Sequence, residues 1–180
     1  QGRGVNTSTA AADVAGPRGT AFQVAYAGKG FTAAYTRTDY ETETEAATPA
    51  ITETKADQFG ATYTMGGLKG EFIHARNQTT QSNAQTSKVS SNMIGVQYQA
   101  GAIMPFAKYG IGETQTGIAG AANADTKGMQ LGAQYTMSKR TSLYAVYGAQ
   151  EIKVKTSTTA NLVGNTTKRT EIAAGLVHTF

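Results

Sequence analysis

The chain has no cysteine and no tryptophan, and only three prolines. Without cysteine there is no disulfide framework and no thiolate for a metal or a nucleophile, whichever compartment the protein occupies. No apolar run approaches the ~20 residues of a membrane-crossing helix, which leaves a membrane barrel open. A sustained i, i+3, i+4, i+7 stripe is also missing, so no helices are expected. Large aliphatics are scarce: hydrophobic residues make up 39%, mean hydropathy is −0.34, and Ala, Gly, Thr and Gln stand where a globular core needs Leu and Ile. The 16 basic residues give a net charge of +4, but they are scattered rather than gathered on one face, which argues against a nucleic-acid partner. Catalytic signatures are thin. There is no Gly-x-Ser-x-Gly elbow and no His-x-x-x-His pair, and the two histidines, His74 and His178, fall in different segments. No cofactor is expected. The start, Gln1-Gly2-Arg3-Gly4, has neither methionine nor a signal-peptide core. Either a leader has been removed or this is the tail of something longer.

What the chain does have is alternation. Low hydrophobicity alone would fit disorder, but disorder does not space Tyr, Phe, Val and Ile at every second position. Phe22, Val24 and Tyr26 align on the first such segment, and Phe31, Ala33 and Tyr35 on the second. Phe59, Ala61, Tyr63 and Met65 follow, then a fourth segment over about 69–78, and then Ile94, Val96 and Tyr98. Pro105, Ala107, Tyr109 and Ile111 form the sixth set, Met129 to Met137 the seventh, and Leu143, Ala145, Tyr147 and Ala149 the eighth. The ninth ends the chain, with Ile172, Ala174, Leu176, His178 and Phe180 on one face and Glu171, Ala173, Gly175, Val177 and Thr179 on the other. One segment per 20 residues is wider than the ~8–12-residue spacing of soluble sandwiches and suits spanning strands of ~10 residues. Short turns are expected after segments one, three, five and seven, with longer polar loops after the others. The acidic stretch Glu41 to Glu53 is expected to be one of these loops, and residues 1–19 another, extracellular one, ahead of a meander over 20–180.

The second face decides between membrane and water. A soluble sandwich would carry charge there, whereas these segments carry Gln, Thr, Gly and Ala, with charges mostly at their ends. A water-filled lumen backed by an apolar, lipid-facing exterior predicts that pattern.

The ending Gly175-Leu176-Val177-His178-Thr179-Phe180, together with the turn and strand Ser138-Lys139-Arg140-Thr141-Ser142-Leu143-Tyr144-Ala145, resembles the general porins of Gram-negative outer membranes, and the His-x-Phe ending resembles the betaproteobacterial ones. The resemblance implies an all-β fold: a transmembrane antiparallel β-barrel, about nine strands of which, the C-terminal half of a sixteen-stranded porin, lie in this chain. Nine is odd, and known bacterial barrels close on even numbers; a smaller complete barrel with one strand miscounted is the alternative. The implied partners are the N-terminal half of the same porin, two further copies in a homotrimer, lipopolysaccharide and outer-membrane lipid, and the barrel-assembly machinery. That machinery would read Gly175, Leu176, His178 and Phe180. The implied place is the outer membrane, crossed many times, with the C-terminus periplasmic.

Lys108, Gln97, Gln99, Gln130, Gln134, Tyr144, Gln150 and Glu171 are the expected pore-lining residues. Lys108 is a mid-strand cation between Phe106 and Gly110, which together with the net positive balance predicts weak anion selectivity. Arg37 and Arg76 would extend it into a basic track or, singly, solvate the rim. Glu41, Glu43, Glu45 and Glu53 are either a divalent-cation site or a solvated, self-repelling run. Two other classes stay open: an outer-membrane hydrolase using His74 with a loop acid, and a non-conducting structural or adhesin barrel.

Overall fold

The computed structural model describes residues 18–43, 51–81, 84–117, 123–156 and 163–179. They form one nine-stranded antiparallel sheet in sequence order. The strands are β1 (Arg18–Gly28), β2 (Phe31–Glu43), β3 (Ile51–Met65), β4 (Leu68–Gln81), β5 (Ala84–Tyr98), β6 (Ile103–Thr116), β7 (Asn123–Ser138), β8 (Thr141–Thr156) and β9 (Thr166–His178). There is no helix among the described residues.

Short turns join the strands as the alternation predicts. Lys29-Gly30 and Gly66-Gly67 are two-residue hairpin connections, and Gly30 and Gly66 take φ of 76° and 59°. Only glycine enters that left-handed region without strain, and tight hairpins require it.

The strands run further than the sequence suggests, nearly always at the opposite rim. β1 begins at Arg18, two residues ahead of the expected start. β2 continues to Glu43 and β3 begins at Ile51, so both ends of the acidic stretch are strand rather than loop, and Glu41 pairs across the ladder with Glu53. Where a polar loop is expected after β4, that strand continues to Gln81 and β5 already begins at Ala84. The reason is physical. Charged and polar residues at a strand end read as a loop, but their backbones still pair when the neighbouring strand is in register.

The register sorts the side chains into two faces. Following direct partners, Phe22, Val24 and Tyr26 share a face with Phe31, Tyr35, Phe59, Tyr63, Phe72, Ile94, Val96, Tyr109, Met129, Leu131, Tyr147, Ile172 and Leu176. Among the described residues no hydrophobic side chain is buried, and Val24 and Ile172 are 65% and 83% exposed. The sheet therefore has no core of its own to hold it together in water. Its apolar side chains point out to a medium that must itself be apolar.

The ladder also drifts. The row of partners that starts at Val24, four residues from the end of β1, arrives at Lys168, ten residues from the end of β9. The strands thus lean relative to the rims, as barrel closure requires.

Candidate pore lining

The polar face is built from Gln, Thr, Gly and Ala. Gln97, Lys108, Gln130, Gln134, Tyr144, Gln150 and Glu171 all lie on it. Gln99 does not sit on a strand: β5 ends at Tyr98, and the Gln99 amide donates to the Gly101 carbonyl at 2.7 Å inside the turn. Gln134 donates to Ser142 Oγ at 3.0 Å, and Thr32 and Thr62 share a hydroxyl hydrogen bond of 2.6 Å. Lys108, Gln130, Gln150, Arg169 and Glu171 surround a cavity of about 350 Å³, to which Gly110, Gly128 and Gly148 also contribute.

Large side chains on this face lie over glycines of the adjacent strand. Phe106 sits over its direct partner Gly132 and Tyr144 over Gly175, so that a Cβ on Gly132 would meet the Phe106 ring at 2.5 Å and one on Gly175 the Tyr144 ring at 2.6 Å. Glu71 of β4 reaches furthest. It lies over Gly95 of β5 and meets Lys108 Nζ of β6 at 2.7 Å, two strands away. Lys108 is therefore not the isolated cation the sequence suggests, and its partner was missed because only the register puts residues 71, 95 and 108 in one row.

The apolar face changes character toward the long-loop rim. On β7 it is apolar from Met137 to Met129, about 26 Å of strand, before Lys127 and Asp125 begin. Leaning at ~40°, that approaches the ~25 Å apolar band of outer-membrane barrels. Beyond it lies a belt of interleaved charges: Arg18 Nε to Glu41 at 2.9 Å, Lys55 to Glu53 at 3.1 Å, Lys127 to Glu151 at 3.1 Å, and Lys155 to Asp125 at 2.8 Å. Arg37 joins it, 3.0 Å from Asp39 and 3.4 Å from Asp57, and Asp57 also accepts the Tyr35 hydroxyl at 2.6 Å.

Arg37 and Arg76 therefore do not extend a track from Lys108. They lie on the opposite face, and Arg76 donates to Gln78 at 2.8 Å. His74 is on that face too, 2.9 Å from Asn92 Oδ1. Of the acidic run, Glu45 lies outside the described residues, and Glu41 and Glu53 are taken up by Arg18 and Lys55. Among the described residues no three potential ligands gather around a metal position.

At the C-terminus, Leu176 pairs with Leu143 on the apolar face, and His178 Nδ1 is 2.9 Å from Thr141 Oγ1. Gly175 opens space for Tyr144, and Phe180 lies outside the described residues.

A sheet of long, leaning antiparallel strands with one apolar face, one polar face and no core is the wall of a transmembrane β-barrel. The family model of Gram-negative porins matches residues 1–155, and the chain belongs to that family. The match stops within β8, so β9 and the terminal motif lie beyond it. No curated protein and no solved structure matches the chain. The protein is thus an outer-membrane porin, a channel rather than an enzyme in its family character.

Proposed function

We propose that the polar face is the pore wall, along which small hydrophilic solutes pass by passive diffusion. The observation that carries this is the pairing of faces: a Gln/Thr/Gly/Ala surface backed by an exposed apolar one. On this reading Gln97, Lys108, Gln130, Gln134, Tyr144, Gln150 and Glu171 line the water, with Gln99 at the turn rim. Among the described residues the polar face carries Lys69, Lys108 and Arg169 against Glu71 and Glu171, a slight cationic excess that favours anions weakly.

The nine strands are read as the C-terminal half of a sixteen-stranded barrel of the betaproteobacterial type, assembled as a homotrimer with its C-terminus periplasmic. What supports the half-barrel is that β1 and β9 each pair on one side only within the described sheet, and lipid does not tolerate open edges. The charged belt above the apolar band suits contact with lipopolysaccharide head groups. Gly175, Leu176, His178 and Phe180 are the residues offered to the assembly machinery.

The test is reconstitution of the whole porin in planar bilayers under a salt gradient. Stepwise conductance with a reversal potential on the anion side is expected. A silent bilayer overturns the diffusion reading, and clear cation selectivity overturns the anion preference.

A further inference from the structure

The one ion pair on the polar face among the described residues is made possible by a glycine. Adjacent strands stand 4.7–4.9 Å apart, so Glu71 and Lys108 are separated by nearly 10 Å of sheet with β5 between them. Their side chains meet because residue 95 has none. A Cβ built on Gly95 would lie 2.5 Å from Glu71 Oε1 and 2.7 Å from its Cγ, and its three nearest atoms all belong to that side chain. Glu71 is 20% exposed and Lys108 34%, so the pair lies partly sheltered against the wall.

We propose that Gly95 determines charge selectivity in this channel: by letting Glu71 cross β5, it holds Lys108 against the wall and keeps its ammonium from serving as an anion site. The inference rests on the polar face being the pore wall. It differs from a count of lumen charges, because a substitution that alters no charge should change what the pore does. The nearest groups on the same row are neutral: Thr62 beside Glu71, and Gln130 beside Lys108. Glu171 is the other charge of that row, three strands from Lys108 across Gln130 and Gly148.

Gly95→Ala is the decisive variant, since its methyl displaces only a flexible carboxylate arm and leaves the ladder intact. Reversal potentials and block by inorganic phosphate would be measured in planar bilayers for the parent, G95A, E71Q, K108Q and the double variant G95A/K108Q. E71Q should raise the anion-to-cation permeability ratio by about two- to fivefold, the range of one charge at aqueous dielectric with screening. G95A should move the ratio the same way by a smaller factor and make the pore sensitive to phosphate, and K108Q should abolish that sensitivity. A G95A pore identical to the parent in both readouts overturns the inference. Gln130→Lys serves as the control for the wall itself: if it raises the ratio while G95A does nothing, only the inference fails. If neither Q130K nor E71Q has any effect, the pore-wall reading fails and takes the inference with it.

Discussion

Glycine's part in this sheet is to yield room to side chains on neighbouring strands. Phe106 over Gly132 and Tyr144 over Gly175 cover backbone that would otherwise be bare, the arrangement that rescues glycine in strands. At Gly132 a new Cβ would also come within 2.7 Å of the Ala145 carbonyl, a backbone atom that cannot swing aside. Gly132→Val should therefore destabilise the folded barrel by about 1–3 kcal/mol, seen as a lower urea midpoint in detergent micelles. Gly148→Val, where nothing lies within 4 Å of the added carbon, should cost far less. Lys108 was legible in the sequence because strict alternation fixes its face. Glu71 was not, because a partner two strands away depends on register, and a slip of one residue would turn it to the other side.

At the scale of the strand, the middles were legible and the ends were not. Tyr, Phe, Leu and Met at every second position mark where lipid is met, so β7 was read correctly from Met129 to Met137. Its first residues, from Asn123 to Gly128, read as loop because Asp125 and Lys127 break the apolar alternation, although both are paired residues of the ladder. The same blindness turned part of the acidic stretch into an expected loop and set Arg37 beside Lys108 in expectation, although alternation counted outward from Tyr35 already assigns Arg37 to the apolar side. The alternation makes a paired prediction on adjacent residues of β7. Leu131→Arg places a charge in the lipid-facing band and should cost about 2–4 kcal/mol in folding stability. Gln130→Arg, one residue earlier and on the other face, should leave the urea midpoint nearly unchanged.

For the whole molecule, the decisive property was legible as a deficiency: too few large apolar residues for a core, yet too regular a spacing for disorder. The structure turns that into a sheet in which, among the described residues, no apolar side chain is buried. A chain without cysteine is also well suited to mapping the sidedness of the assembled wall, one introduced thiol at a time. Cysteines at Thr62, Gln134 and Gln150 should react with a membrane-impermeant thiol reagent and reduce conductance. Cysteines at Ala133, Leu131 and Leu143 should stay unreactive in the bilayer; equal labelling of both sets would refute the sidedness.

The drift of the ladder also bears on transport. The row running from Ala27 through Thr32, Thr62, Glu71, Gly95, Lys108, Gln130 and Gly148 to Glu171 starts one residue from the end of β1 and finishes seven residues from the end of β9. Because the strands lean, the row is a ramp rather than a ring. If this face is the pore wall, as proposed, a solute moving down the axis meets its hydroxyls, charges and amides one after another, as the treads of a spiral staircase. A sequence of shallow stops spread along the axis favours flux over capture.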